Sequence, residues 1–353
     1  YRPVLGKDTT VREYLEAGVD RFFLERHLES WVDYQGSRVK ILAVKYEALG
    51  EHIREILGFL QCERPFKVRP RMSRYEDQPP EIQDIADHVG DSLELSRIAA
   101  ATDASVIILC GVRFMAETAH ILAPGKTVIL PEPDAGCPLA DCIEVPALKT
   151  MQEMYPEALT VLYVNSPASV KAESYACCTS ANALRVVEAV PSREVIFAPD
   201  RNLGTFVSRH TGKRVHIWNG ACRSHAAADL REMRARMEEW PDAQLLVHPE
   251  TPPEAWELAD EVLGTGGMIR HVASSSCARF LIGTEEGMVY RLRTLFPDRE
   301  FMAAGLIYCE NMKKITLQKV LRSLETLGPR VEVDPEVRRR AYESVARMTE
   351  VSG

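Results

Sequence analysis

Three cysteines stand at nearly even intervals along this chain and could hold a metal together. Cys137, Cys222 and Cys309 are separated by 85 and then by 87 residues, and each follows a stretch that could end a strand. None of them belongs to a Cys-x-x-Cys pair of the kind that builds a zinc finger. Three isolated thiolates that converge on one point would bind a metal and leave one coordination position free.

Other residues compete for the same role. His225 follows Cys222 by three residues, so the two could begin a zinc site, which would need two further ligands; none stands at comparable spacing. Cys178 is the main alternative to Cys222 as a third thiol, although its use would break the even spacing. The remaining cysteines that lie in apolar strands or helices are expected to pack as small apolar residues. They are Cys110, Cys177 and Cys277.

A histidine and a carboxylate stand together in the sequence His-Pro-Glu. An extended two-residue step points the side chains of His248 and Glu250 in the same direction. A titratable imidazole beside a carboxylate suits general acid and base catalysis. Taken alone, the pair also fits a solvated loop carboxylate and a histidine at the start of a helix.

Several hydroxyl and amide groups stand where strands end or helices begin. Together with backbone N–H groups at helix N-termini, they could bind carboxylates and phosphate without a basic patch. Two of them, Ser92 and Ser180, also fit simple helix caps. The full set is Ser92, Tyr163, Asn165, Ser180 and Thr265.

From about residue 80 onward, short apolar runs alternate with amphipathic stretches. Continuous runs of Val, Ile and Leu are typical of strands covered on both faces, so they predict parallel sheets between helices. Predicted strands are 105–110, 127–130, 159–164, 195–198, 215–218, 244–247, 277–283 and 301–306. Predicted helices are 91–101, 115–122, 167–177, 180–190, 226–240, 253–263 and 317–326.

This alternation predicts an α/β fold of three similar Rossmann-like modules in a pseudo-threefold arrangement around a central site. In open parallel sheets the ligand site lies beyond the carboxyl ends of the strands, where the candidate residues fall. We expect an N-terminal accessory or fused segment and three modules, the first of which includes a C-terminal helix. The boundaries are 1–77; 78–141 with 335–350; 142–226; and 227–334.

Composition excludes several classes of function. The 353 residues carry a net charge of -8, which argues against nucleic acid as the main partner. The longest apolar run, residues 104–112, is far too short to span a bilayer, so no membrane association is expected. Nine cysteines, an odd number, without an apolar signal segment favour a reducing, cytoplasmic environment.

Nine ordered motifs between residues 78 and 350 resemble quinolinate synthase. They include Pro-Glu-Pro-Asp-Ala-Gly-Cys-Pro at 131–138 and Asn-Met-Lys-Lys-Ile-Thr-Leu at 311–317. Their number and order make a chance match improbable. The motifs lie at residues 80–95, 110–119, 131–141, 163–166, 178–183, 199–204, 248–250, 283–285 and 311–317.

The resemblance implies a reaction and a cofactor. It implies that iminoaspartate and dihydroxyacetone phosphate condense to quinolinate in NAD biosynthesis, with functional coupling to an aspartate-oxidising enzyme. It also implies a 4Fe-4S cluster whose fourth iron acts as a Lewis acid. The implied cluster ligands are Cys137, Cys222 and Cys309. The implied catalytic residues are Glu250, His248 and Tyr163, and the implied substrate-binding residues are Ser92, Tyr163, Asn165, Ser180, His225, His248, Glu250 and Thr265.

One departure from the family pattern concerns the first module. The family's first strand delivers a His and a Tyr to the active site, whereas Tyr75 and Asp77 stand at those positions here. The preceding residues 67–73 are too basic, and contain a Pro that is too disruptive, for a buried parallel strand. Either the N-terminal segment supplies a replacement strand, such as residues 39–44, or the first module is damaged.

The N-terminal segment itself, residues 1–75, resembles part of a sulfotransferase-like domain around residues 40–60. The phosphate-binding loop that such an enzyme needs is absent, so no sulfuryl transfer is expected. Two functions therefore remain in competition. One is a working quinolinate synthase; the other is a catalytically impaired homologue that still binds the cluster.

Overall fold

The computed structural model describes residues 39–43 and 82–351, which form three four-stranded parallel sheets flanked by helices. In each sheet the strands lie in the same order: second, first, third, fourth. This repeated order confirms the prediction of an α/β protein built from similar Rossmann-like modules. No helix in these two ranges is long and apolar enough to cross a membrane.

The first sheet takes a strand from the N-terminal segment. Strand β1, Val39–Ala43, lies between β2, His88–Val89, and β3, Val106–Cys110, and pairs with β3 along its whole length. Every residue of β3 is buried, as expected for a strand covered on both faces. This pairing supports the replacement-strand explanation. The other elements are β4, Thr127–Ile129, and helices α1, Ile82–Ile85, α2, Ser92–Ala101, and α3, Arg113–Leu122.

The expectations about Tyr75, Asp77 and residues 67–73 fall outside the described residues. So does the sulfotransferase-like stretch, apart from β1.

The second sheet has the order β6-β5-β7-β8. Its strands are β5, Leu159–Tyr163, β6, Ala176–Cys178, β7, Glu194–Ala198, and β8, Arg214–Ile217. Its helices are α4, Val145–Met154, α5, Ala168–Lys171, α6, Ala183–Ala189, α7, Arg201–His210, and α8, Arg223–Ala226. The core of this sheet is continuous with that of the first module.

The third sheet has the order β10-β9-β11-β12. Its strands are β9, Gln244–Val247, β10, Glu261–Val262, β11, Arg279–Gly283, and β12, Glu300–Ala303. Its helices are α9, Leu230–Glu239, α10, Pro253–Trp256, α11, Thr265–Ser274, and α12, Gly287–Leu295. Separate apolar clusters pack on its two faces.

Two helices follow the third module, α13, Leu317–Thr326, and α14, Pro335–Glu350. Helix α14 packs against α3 of the first module and against β6 and α5 of the second. Ser344 on this helix donates a 2.8 Å hydrogen bond to the carbonyl of Lys171. The C-terminal helix therefore joins the first two modules.

Two predicted helices end earlier than expected. The helix expected over 167–177 ends at Lys171, and residues 176–178 form β6 because their side chains are buried in the sheet. The helix expected over 253–263 ends at Trp256, and residues 261–262 pair with β9.

Candidate active site and metal centre

The three cysteines share one local structure. The carbonyl oxygen of each accepts the backbone N–H of the residue four positions later, at 3.0 Å for Cys137, 2.8 Å for Cys222 and 3.2 Å for Cys309. Each cysteine therefore opens a helical turn, which runs on into a short helix at Ala140–Cys142, Arg223–Ala226 or Met312–Lys314. The even spacing in the sequence thus corresponds to a repeated structural position.

Helical turns of this kind direct backbone N–H groups at the cysteine sulfurs. Burial raises the pKa of the Cys137 thiol to about 12, although N–H groups of Ala140 and Leu139 act to lower it. Burial likewise raises the pKa of Cys222 and of Cys309, against backbone N–H donors from within each turn. Such donors stabilise a thiolate and tune bound metal clusters.

Each of the three thiols lies within electrostatic reach of Glu250, and Cys222 Sγ lies within 4.8 Å of a Glu250 oxygen. The charge of Glu250 raises the pKa of all three, after burial as the main cause. The charge of Cys309 also raises the pKa of Cys137, and the charge of Cys137 raises the pKa of Cys222. The arrangement therefore brings three sulfurs from three parts of the chain toward one carboxylate.

The competing cysteines lie elsewhere. Cys110, Cys177 and Cys178 are fully buried within strands β3 and β6, as expected of packing residues, although Cys177 was expected in or before a helix. Cys277 donates to backbone carbonyls near the start of β11. Cys178 therefore does not take the position of Cys222.

Glu250 is the centre of the acid–base group. It follows β9, is 3% exposed, and its carboxylate accepts a short hydrogen bond from the Tyr163 hydroxyl at the end of β5. His225 Nδ1 lies 3.0 Å from its other oxygen, Oε2. Burial alone would raise the pKa of Glu250, but the charge and hydrogen bond of His225 lower it below its usual range. The carboxylate is therefore ionised and can accept a proton.

His248 stands beside this group as a neutral imidazole. Burial lowers its pKa to about 4, and its Nδ1 accepts the backbone N–H of Glu250 at 3.3 Å. The proton therefore lies on Nε2, which donates to the Ser180 hydroxyl at 3.1 Å. The His248 ring stacks on that of His225, with centroids 4.8 Å apart. The predicted pair His248 and Glu250 is thus assembled into one site.

The predicted anion-binding groups meet at two helix N-termini. Ser92 begins α2, and Thr265 begins α11. A Cβ at Gly264 would lie 2.7 Å from the hydroxyl of Ser180, and one at Gly266 would lie 2.7 Å from a carboxylate oxygen of Asp91, the residue before Ser92. Glycine at both positions therefore lets the start of α11 approach the other two modules.

Asn165, the last of the predicted groups, is half-buried two residues beyond β5. It follows the same strand as Tyr163 and leaves the sheet at the same edge.

Sequence reasoning missed two residues that hold the site together. Asp200 is fully buried before α7 and accepts the backbone N–H of Cys222 at 3.0 Å. Thr284 follows β11, and its hydroxyl lies 2.9 Å from His225 Nε2. Both belong to family-like motifs, at 199–204 and 283–285, and their place after a strand was the available signal.

Fold and site together define an α/β protein of three Rossmann-like modules, in which partly buried thiols and buried acid–base groups from different modules come together. The chain matches the family described as Quinolinate synthetase A protein over residues 74–350. It is 49% identical to the quinolinate synthase of Geotalea uraniireducens (strain Rf4) over 269 residues, 76% of this chain and 88% of that protein.

Two further relatives give the same result. The quinolinate synthase of Dehalococcoides mccartyi (strain CBDB1) is 49% identical over 299 residues, which cover 84% of this chain and 99% of the relative. Quinolinate synthase 2 of Methanosarcina acetivorans is 45% identical over 274 residues, 77% of this chain and 88% of the relative. The chain belongs to the quinolinate synthase family, which confirms the resemblance seen in its motifs.

Proposed function

We propose that this chain condenses iminoaspartate with dihydroxyacetone phosphate to quinolinate, with loss of phosphate and water. We further propose that it uses a 4Fe-4S cluster held by Cys137, Cys222 and Cys309. The observation that carries the proposal is the repeated cysteine turn. Three partly buried thiols, each at the start of a helical turn, lie within electrostatic reach of the ionised carboxylate of Glu250.

The donor set fits such a cluster. Cysteine thiolates are the ordinary ligands of 4Fe-4S clusters, and N–H groups directed at their sulfurs are a usual feature of these sites. Backbone N–H groups reach all three sulfurs here. The iron left without a protein ligand would supply Lewis acidity toward oxygen or nitrogen atoms of the substrate.

Proton transfer falls to Glu250, Tyr163 and His248. The ionised carboxylate of Glu250 is the candidate base, and the phenol of Tyr163, bonded to its Oε1, can return a proton. Burial raises the pKa of Tyr163 well above its usual value, so the phenol stays protonated. His248 has its proton on Nε2, which forms a hydrogen bond with the Ser180 hydroxyl, and is a further proton donor. His225 orients Glu250.

Substrate binding falls to the helix starts and the polar groups around them. Both substrates are anions, and a helix N-terminus binds anions through its free N–H groups and dipole. The start of α11 carries Thr265, has no side-chain cap and lies against Ser180. The start of α2 carries Ser92, but the Asp91 carboxylate accepts the N–H groups of Leu93 and Glu94, so this end contributes through the Ser92 side chain. Asn165 completes the proposed set. An acidic protein can hold dianionic substrates in this way. Iminoaspartate would come from an enzyme that oxidises the amine of aspartate.

One observation supports the second candidate function, that of a cluster-binding homologue with impaired turnover. Strand β1, Val39–Ala43, occupies the first strand's place, and its five residues include neither a histidine nor a tyrosine. Within these described residues, the groups that the resemblance implies for the first strand therefore have no counterpart.

Anaerobic reconstitution with iron and sulfide tests the proposal. We expect four irons per chain, and quinolinate formed from iminoaspartate and dihydroxyacetone phosphate. Cys222→Ser should lose the cluster, whereas Cys178→Ser, which alters a fully buried strand cysteine, should keep it. A full cluster without quinolinate would favour the impaired homologue. Failure to bind any cluster would overturn both candidates.

A further inference from the structure

The acid–base group contains a second set of metal-binding atoms that does not need all three cysteines. Cys222 Sγ, His225 Nδ1 and a carboxylate oxygen of Glu250 all lie within 4.8 Å of one another. His225 Nδ1 is 3.3 Å from the sulfur and 3.0 Å from Glu250 Oε2. Bond lengths to tetrahedral zinc place neighbouring ligand atoms about 3.3–3.6 Å apart, so both distances from His225 Nδ1 need shifts of only a few tenths of an ångström.

Partners outside this set hold two of the three ligands in place. His225 Nε2 lies 2.9 Å from the Thr284 hydroxyl, and the second oxygen of Glu250 accepts from Tyr163. Histidine and carboxylate ligands of zinc are usually oriented by bonds of this kind. Because a hydroxyl can both donate and accept a hydrogen bond, Thr284 can bond to Nε2 of His225 in either tautomer of the imidazole. Nδ1 can then bind a metal while the imidazole stays neutral.

The donor types select among metals. One sulfur, one imidazole nitrogen and one carboxylate oxygen suit zinc, whereas magnesium and calcium prefer oxygen ligands alone. His248 does not join the set, because its Nε2 bonds Ser180 and its Nδ1 accepts the N–H of Glu250. Three protein ligands leave a fourth position for water.

The sequence shows only Cys222 and His225, a pair three residues apart. The third ligand stands 25 residues beyond His225 and reaches the pair because β9 ends beside it. The structure therefore supplies a ligand that sequence spacing does not reveal.

We propose that the protein without its cluster binds one zinc ion through Cys222, His225 and Glu250. The thiol proton of Cys222 passes to solvent, and water fills the fourth position. The bound ion occupies one of the cluster's proposed ligands, so it blocks cluster assembly until a chelator removes it. This site requires neither Cys137 nor Cys309, although it shares Glu250 and His225 with the proposed reaction, and its effect on cluster assembly rests on the proposed function.

Cobalt(II), a coloured substitute for zinc, tests the site in the full-length, cluster-free protein under anaerobic conditions. We expect one equivalent to bind, with a thiolate-to-cobalt charge-transfer band in the near ultraviolet, and zinc to displace it. Cys222→Ser should abolish that band, and His225→Gln should abolish tight binding. Thr284→Val, which removes only the orienting hydroxyl, should lower affinity about 10- to 100-fold.

Cys137→Ser is the matched control, since it alters another proposed cluster ligand while leaving all three zinc ligands. It should bind cobalt as the parent protein does, yet fail to assemble the cluster. Zinc-loaded parent protein should take up no cluster until the zinc is chelated. Circular dichroism of each variant shows whether a loss of binding reflects misfolding.

Two results would overturn the inference. One is no stoichiometric cobalt binding in the folded parent protein. The other is equal loss of binding in Cys137→Ser and Cys222→Ser, which would place the ion among the three cysteines. A quinolinate assay on cluster-loaded protein is a separate readout, so failure of the zinc site leaves the proposed function untouched.

Discussion

The carboxylate of Asp200 accepts the backbone N–H of Cys222 at 3.0 Å. Its other oxygen accepts the N–H of Leu203 at 2.8 Å, which caps helix α7. One buried side chain therefore connects the start of a helix to a cysteine turn. Burial and the nearby charge of Glu250 raise the pKa of Asp200 to about 7, so keeping this buried carboxyl ionised costs free energy.

Asp200→Ala should reduce cluster retention. The variant leaves the partly buried N–H of Cys222 without its acceptor, a loss of about 1 kcal/mol. Iron per chain, followed over time during exposure to a chelator, measures the effect. Asp229→Ala is the matched control, because Asp229 also caps a helix, α9, but is exposed and does not contact Cys222. Equal iron loss from both variants would contradict a specific role for Asp200.

Tyr163→Phe should lower turnover about 100-fold or more while the cluster is retained. The substitution removes the hydroxyl that bonds Glu250, and general acid or base groups typically contribute factors of this size. Steady-state quinolinate formation and iron content are measured on the same preparation. Tyr155→Phe serves as the control, since Tyr155 stacks on His216 at a centroid distance of 3.6 Å and does not contact Glu250. Undiminished turnover would exclude Tyr163 as a proton donor.

Most strands could be predicted from the sequence because their residues are buried on both faces. The run 244–247 was predicted to the residue, and 105–110 within one residue. Strands β2, β6 and β10 escaped prediction because two or three residues carry no periodicity. Their places depend on pairing with a distant strand.

The site was foreseeable residue by residue but not as a set of contacts. His248 and Glu250 stand in one motif, and the structure confirms that they lie together. The hydrogen bond between Tyr163 and Glu250 joins residues 87 apart, one at the end of β5 and one in the loop after β9. Nothing local in either motif specifies that partner, because the contact arises from packing between modules.

Lys171→Met should raise KM more than it lowers kcat. Lys171 is fully buried, and its ammonium donates to the carbonyl of Ser166 in the loop that carries Asn165. Burial lowers the pKa of this lysine, so removing its charge offsets part of the lost hydrogen bond. We therefore expect a small change in the free energy of unfolding but a looser binding loop.

Steady-state kinetics and urea unfolding separate these two effects for Lys171. Lys149→Met is the control, because Lys149 is half-exposed and pairs with Glu173 away from the loop. A variant that unfolds much more easily, with KM unchanged, would show that Lys171 serves stability alone.

His120 should make stability depend on pH. Its Nδ1 accepts the backbone N–H of Val333 at 3.1 Å, and burial, with help from Arg338, lowers its pKa despite the opposing charge of Glu332. The unfolded chain therefore binds a proton more readily than the folded chain. This contribution is complete above the ordinary histidine pKa of about 6.5 and is lost as pH falls below it.

Urea unfolding of the cluster-free protein at several pH values between 5 and 8 measures this dependence. His120→Asn keeps an acceptor near Nδ1 but does not titrate, so its stability should fall less at low pH than that of the parent. His210→Asn, at an exposed histidine on α7, should follow the parent. Parallel curves for His120→Asn and the parent would refute the assignment.

Ile41→Pro should destabilise the first module. Ile41 lies in the middle of β1, in register with Ile108 of the fully buried β3. Proline cannot donate to the ladder, and a backbone group left unpaired in a central strand costs about 1–3 kcal/mol. The urea midpoint and iron content should both fall. Ile41→Val, which keeps the backbone N–H and a β-branched side chain, should behave as the parent. If Ile41→Pro leaves both quantities unchanged, then the N-terminal segment does not complete the first sheet in solution.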